Sequence, residues 1–111
     1  MTQKKKSKST GGGGVDLKDR NEEKSKLTPP KKYNVVFYND DYTPMEFVWL
    51  VLMMVFGHNE ATAWKIMMDV HENGKGIAGT YNKEIAAMKV KKSMSLAKES
   101  QHPLLVQAEE V

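Results

Sequence analysis

Apolar residues recur along this chain with two periods, one near two and one near 3.6, and the changes between them mark the elements. The run Tyr33-Asn34-Val35-Val36-Phe37-Tyr38 is rich in aromatic and β-branched residues and reads as a mostly buried strand. After a short polar loop, Met45, Val48, Trp49 and the stretch Val51 to Phe56 make a helix that is apolar on nearly every side, predicted over about Thr43 to Phe56 and expected to be central. Thr43 with Glu46 three residues on is a capping-box pattern, and Pro44 sits at the first helical position, where its missing N–H costs nothing. Gly57 supplies the stop. Asn59 then caps a second helix, Glu60 to Asn73, whose Ala63, Ile66, Met67 and Val70 follow the i, i+3, i+4, i+7 pattern, and Gly74 ends it. The short gap at Gly57-His58 predicts a helical hairpin with the apolar faces together.

Gly76 to Tyr81 reads as a short strand whose glycines suggest a bulge or close backbone approach. Asn82 caps a third helix, Lys83 to Ser100. Its apolar face holds Ile85, Ala86, Ala87, Met88, Val90, Met94 and Ala97, with Lys89, Lys92 and Lys98 pointing away. Pro103 blocks continuation, and Leu104 to Ala108 forms the last strand. The order strand, helix, helix, strand, helix, strand predicts an α/β domain of the α+β sandwich kind: a small three-stranded antiparallel sheet packed against three helices.

Composition adds a boundary. Residues 1–32 are Lys, Ser, Gly, Thr and Glu with four consecutive glycines, and their few apolar side chains are too sparse to offset the entropy of ordering the segment. They are expected to be a disordered basic tail, with residues 33–111 the folded core. The formal charge of +3 divides unevenly: ten Lys or Arg against four Asp or Glu in residues 1–32, seven against ten in residues 33–111. An acidic core argues against a folded nucleic-acid reader, although a Lys-rich arm could touch phosphates and leaves a nucleic-acid or ribosome-associated module as the alternative reading. With no cysteine there is neither a disulfide framework nor a Cys-held metal. No apolar run reaches the ~20 residues needed to span a bilayer, so no membrane association is expected and the cytoplasm is the expected compartment.

The chemistry that could act is sparse. No nucleophile can be assembled with a base, and no phosphate-binding glycine loop precedes a helix, so no enzyme and no cofactor are expected. His71-Glu72 opens a zinc-protease pattern, but Lys75 stands where the second histidine belongs. His71 falls at the edge of an apolar helix face, where a histidine bonding a backbone carbonyl is the plain alternative. Asp40 and Asp41 could serve only the positive end of a helix dipole, and Met45, Met67, Met68 and Met88 could be core filler. Taken together, Asn39, a carboxylate and a neutral imidazole supply acceptors beside Met45, Val48, Met67 and Val70. That set suits a ligand with a free amino group and a large apolar side chain.

The run Asn39-Asp40-Asp41-Tyr42-Thr43-Pro44-Met45-Glu46-Phe47-Val48, with Met67, Val70-His71 and His102-Pro103-Leu104-Leu105, closely resembles the ClpS family of adaptors, which hand N-degron substrates to a ClpA-class AAA+ unfoldase and its ClpP protease. The match runs from about Tyr33 to Glu109. The resemblance implies that Asn39, Asp40 and His71 receive the substrate's α-amino group and that Met45, Val48, Met67, Val70 and Leu104 wall a pocket for a first residue of Leu, Phe, Tyr or Trp. It further implies that Asp41 and Thr43 lie at the pocket mouth, that Glu84 and Lys89 dock on the unfoldase N-domain, and that the tail takes part in delivery. A monomer is expected. Phe37-Tyr38 departs from the family's usual aliphatic pair and could reshape the pocket lip, and Ala87-Met88 departs from the polar residues usual between Glu84 and Lys89.

Overall fold

A central strand, β1 (Lys32–Tyr38), carries both neighbours of a three-stranded antiparallel sheet in the order β2-β1-β3. The computed structural model describes residues 29–111. Most of the segment expected to be a disordered tail therefore lies outside the described residues. Lys32 opens β1, one residue ahead of the expected start, and Lys31 pairs with Glu110 at 3.0 Å beside it. The elements follow in the predicted order: α1 (Met45–Met54), α2 (Glu60–Asn73), β2 (Lys75–Asn82), α3 (Lys83–Glu99) and β3 (Leu105–Glu110).

Val35 and Phe37 are wholly buried on the face of β1 that meets the helices, where Ala78 of β2 and Val106 of β3 join them. Leu52 and Val51 of α1, Met67 and Val70 of α2, and Ala86 and Ala97 of α3 complete this core. Each fully buried Leu or Phe contributes about 1.5–3 kcal/mol, so the interior is held mainly by this one contiguous cluster. Phe37 meets Phe56 edge to face with ring centroids 5.5 Å apart.

Local signals set α2 closely. The Asn59 side chain accepts from the Thr62 N–H at 2.8 Å, and Gly74 closes the helix in the left-handed region at φ +88°. Asn82 caps α3 in the same way through the Ile85 N–H at 2.9 Å. The glycines of β2 do both things expected of that strand. A Cβ on Gly76 would stand 2.9 Å from Val70 Cγ2, so the strand and α2 approach closely there. Between the pairs Val35–Gly79 and Val36–Ile77 the register slips by one residue, leaving Ala78 as a bulge. Its carbonyl accepts a hydrogen bond from His58 Nε2 at 2.5 Å.

Three expectations need correcting. The capping box at Thr43 does not form: α1 begins at Met45 with Pro44 as its extended N-cap residue and no side-chain cap, and the Thr43 N–H that Glu46 would have to bind goes to the Asp40 carboxylate instead. The first helix is also less enclosed than its composition suggests. Val48, Val51 and Leu52 are buried, but Leu50 and Met54 are 47% and 63% exposed, since the packed elements cover only one of its faces. Lys89 does not point away from the core. Its ammonium donates to the Val55 carbonyl at 2.8 Å and lies over the rings of Phe56 and Tyr81, 5.7 and 5.4 Å from their centroids.

Candidate functional site

Three chain junctions converge at one end of the sheet. The first is the exit from β1, where the Asn39 N–H donates to the Gly74 carbonyl at 2.9 Å and so fastens the loop to the C-terminal end of α2. Gly74 can offer that carbonyl because its left-handed backbone turns the chain sharply after Asn73. This bond brings the Asn39 side chain beside His71, which stands in the last turn of α2.

The second junction is the turn into α1. Asp40 Oδ1 accepts from the N–H groups of Tyr42 and Thr43, both at 2.8 Å, and Oδ2 accepts from the Thr43 hydroxyl at 2.7 Å. A carboxylate has about four lone-pair sites, so roughly one, on Oδ2, is left for a ligand. Burial pushes the Asp40 carboxyl up, but the Thr43 hydroxyl, the Tyr42 and Thr43 N–H groups and the charge of nearby His102 together hold it below its ordinary value. Pro44, at φ −63° and ψ 142°, then turns its carbonyl to the Phe47 and Val48 N–H groups and launches α1 with Met45 and Val48 on its inner side.

The third junction follows α3. Gln101 takes the left-handed conformation at φ +59°; its N–H donates to Lys98 and the His102 N–H to Ala97, at 3.0 and 2.8 Å. This is the paired bond pattern of a Schellman motif with glutamine in the glycine position. The turn sets the His102 ring edge-on to Phe47 at 4.7 Å and leads through Pro103 to Leu104, which is 3% exposed.

Between these junctions lies a narrow cleft, partly open to solvent, with about 10 Å³ of space as it stands. Asn39, Asp40, Thr43 and His71 border it together with the apolar side chains of Met45, Val48, Met67, Val70 and Leu104. Nine residues singled out by sequence therefore meet around one cavity. His71 is exposed, so it is not the carbonyl-bonded core histidine considered above; His58 fills that role instead. Asp41 is exposed and does not border the cleft. Glu84 and Lys89 lie on α3 away from it, Glu84 exposed and Lys89 turned inward.

Tyr38 is the residue that sequence reasoning left half-resolved. Of the pair Phe37-Tyr38, Phe37 faces the core and only Tyr38 borders the cleft. Residues one apart on β1 face opposite sides of the sheet, so the Tyr38 side chain turns away from the core, and the residue meets the cleft where the strand ends. The Tyr38 hydroxyl donates to Glu109, which pairs opposite Asn34, so the phenol reaches back along the outer face of the sheet. The charge of His102 near Asp40 was not singled out either; only the turn after α3 brings it there.

Among the described residues, no group of three or more His, Asp and Glu side chains is placed to hold a metal ion, and no helix is long and apolar enough to cross a membrane. The cleft offers acceptors on one side and sulfur and hydrocarbon on the other. Fold and site thus define a small α+β domain with a cleft that is bordered by both polar and apolar side chains.

Residues 28–107 match the family model described as ATP-dependent Clp protease adaptor protein ClpS. The chain belongs to that family. It is 50% identical over 86 residues to the ATP-dependent Clp protease adapter protein ClpS of Hydrogenovibrio crunogenus, a match covering 78% of this chain and 83% of that one. It is 46% identical over 98 residues to the adapter of the same name from Vibrio atlanticus, covering 88% and 91%. Among solved structures it resembles Agrobacterium tumefaciens ClpS2 bound to L-phenylalaninamide, with a TM-score of 0.73 and 40% identity over 75% of this chain and all of the other. The family is one of adaptors to a protease.

Proposed function

We propose that this protein is a non-catalytic adaptor that recognises N-degron substrates by a free α-amino group and a first residue of Leu, Phe, Tyr or Trp, and delivers them to a ClpA-class AAA+ unfoldase with ClpP. The observation that carries the reading is the convergence of Asn39, Asp40 and His71 with five apolar side chains on one cleft. L-phenylalaninamide, which is named with the similar solved structure, has a free α-amine, a benzyl side chain and an amide in place of the following peptide. Those are the features this cleft is suited to hold.

In this reading the ammonium sits among the Asn39 carbonyl, the unoccupied Asp40 lone pair and the His71 ring, while the side chain enters between Met45, Val48, Met67, Val70 and Leu104. Thr43 keeps Asp40 aimed from the mouth of the pocket, and Asp41 stands further out. Glu84 and Lys89 form the docking face for the unfoldase N-domain. The adaptor works as a cytoplasmic monomer without a cofactor, and the Lys-rich tail engages the unfoldase during delivery.

Burying a Leu or Phe side chain contributes about 1.5–3 kcal/mol, and each charge-assisted bond to the amine about 1.5–3 kcal/mol before ordering costs. One residue can then support binding near micromolar, about −8 kcal/mol. Acetylation removes the cation and leaves these acceptors without their partner. Fluorescence anisotropy with a Phe-initiated peptide and its N-acetylated twin tests the reading: the acetylated peptide is expected to bind at least about tenfold more weakly, and equal affinity would sink the proposal.

A further inference from the structure

A second cavity, about 200 Å³ and more apolar than polar, lies next to the cleft and shares two of its walls. Met45 and Met67 border both spaces, and Glu46, Trp49 and Trp64 complete the second one. The indoles stand edge to face, 5.5 Å between centroids and 87° between planes. Trp49 spends its Nε1–H on the Glu60 carbonyl at 3.2 Å, so it presents ring carbon to the groove rather than a donor. Trp64 is 50% exposed, a large aromatic surface left open to solvent. Glu46 is exposed on the rim, and none of the described lysines pairs with it.

Two indoles, two thioethers and one carboxylate make a specific chemical request. An apolar side chain would use the rings and leave the carboxylate idle. An acidic one would meet repulsion. A long basic side chain uses every wall: its methylene stem lies along the methionines, its cation faces the indole π surface, and its charge approaches Glu46. Arginine fits better than lysine, because the planar guanidinium stacks on an aromatic face and offers a fork of donors to a carboxylate.

We infer that the Trp49–Trp64 groove is a subsite for an arginine at the second position of the bound peptide, so that the adaptor reads two residues. The inference rests on the function proposed above, in which the first side chain occupies the neighbouring cleft. Met45 and Met67 border both spaces, so in that reading the residue that follows the first is the one placed to reach the groove. Glu46 gives the groove its preference for charge, and Trp64 gives it affinity.

The test is fluorescence anisotropy of the full chain with peptides beginning Phe-Arg, Phe-Lys, Phe-Leu and Phe-Glu, each with a free and an acetylated N-terminus. Phe-Arg is expected to bind about fivefold tighter than Phe-Leu, with Phe-Lys between them and Phe-Glu weakest. That advantage should fall below about twofold in both Trp64→Ala and Glu46→Gln, two changes at surface positions, while Phe-Leu binding stays within about twofold of wild type. Circular dichroism confirms that each variant is folded. Phe-Leu binding as tightly as Phe-Arg would overturn the subsite, and so would an arginine advantage that survives Trp64→Ala. If acetylation abolishes binding of all four peptides while their ranking is flat, the subsite fails and the first-residue reading stands; if acetylation changes nothing, both fail.

Discussion

The Asp40 carboxylate holds Thr43 twice, accepting its backbone N–H on Oδ1 at 2.8 Å and its hydroxyl on Oδ2 at 2.7 Å. One side chain thus builds the loop and, in the proposed function, also faces the ligand. The two roles separate by mutation. Asp40→Ala removes every arm of the network and should cost about 1 kcal/mol, the modest figure appropriate to a solvent-screened carboxylate. Thr43→Val removes only the hydroxyl arm and frees a lone pair on Oδ2. Urea titration should rank the variants in that order. Binding of a Phe-initiated peptide should fall at least about tenfold in Asp40→Ala, through the lost charge-assisted bond, and change only a few-fold in Thr43→Val.

Acid should undo the same network. Burial favours the neutral Asp40, but the hydrogen bonds from Thr43 and Tyr42 and the charge of His102 outweigh it, so the folded value lies below the ordinary 3.8. A group depressed on folding contributes stability that is fully present above its unfolded value and is lost as pH falls through the folded one. The stability difference between wild type and Asp40→Asn, which cannot ionise, should therefore be constant from pH 7 to about 5 and shrink below about 3.8. Thermal melts at stepped pH would measure it, and a difference that stays constant down to pH 2 would contradict the assignment.

What the sequence made legible divides along the reach of each interaction. Asn59, Gly74 and Asn82 bond within a few residues of themselves, and the boundaries of α2 and the start of α3 follow from them. Thr43 is the local failure: the pattern before Glu46 suits a capping box, yet Asp40, three residues earlier, takes with a full charge the Thr43 N–H that Glu46 would have to bind. Periodicity grouped Met45 with Val48 and Met67 with Val70, but only the helical hairpin and the Asn39–Gly74 bond turn these pairs toward each other. The chemistry of the side chains suggested that grouping, and the resemblance added Leu104 to it. Lys89 was illegible for a related reason, since its partner carbonyl on Val55 lies 34 residues away.

Gly76 is where the strand and the pocket wall are packed most tightly. A Cβ there would lie 2.9 Å from Val70 Cγ2 and 3.2 Å from the Ile66 carbonyl oxygen. Neither neighbour yields easily, because valine is stiff at χ1 and the carbonyl belongs to a helix. Gly76→Ala should destabilise the domain by about 1–3 kcal/mol. Because Val70 borders the cleft, peptide affinity should fall as well. A variant of unchanged melting temperature would show that α2 can shift without cost.

Gln101 is the one described residue other than glycine with positive φ. The left-handed conformation costs an ordinary L-residue roughly 1 kcal/mol, and the two bonds that follow, from Gln101 to Lys98 and from His102 to Ala97, are backbone bonds that any residue can make. Gln101→Gly should therefore raise stability by about 0.5–1 kcal/mol, net of glycine's greater unfolded-state freedom. A stabilised Gln101→Gly variant with unchanged peptide affinity would mark the position as a structural turn. Lost affinity would mean that the glutamine backbone helps to aim Leu104.

Lys89 carries a warning for any measurement of docking. Its ammonium donates to the Val55 carbonyl at the end of α1 and rests on the rings of Phe56 and Tyr81, so it joins α3 to the helical hairpin and to β2. Lys89→Ala strands that carbonyl and removes the cation from both rings, at a cost of about 1–2 kcal/mol. Glu84→Ala removes an exposed side chain from the first turn of α3 and should cost no more than a few tenths of a kcal/mol in helix-dipole energy. Substrate delivery that falls with Lys89→Ala can therefore reflect a loosened domain. Lys89→Arg separates the causes, because a guanidinium can still reach a carbonyl and stack on the rings. If Lys89→Arg restores the melting temperature but not binding to an unfoldase N-domain, the lysine is a docking contact; if it restores both, the residue acts through the fold.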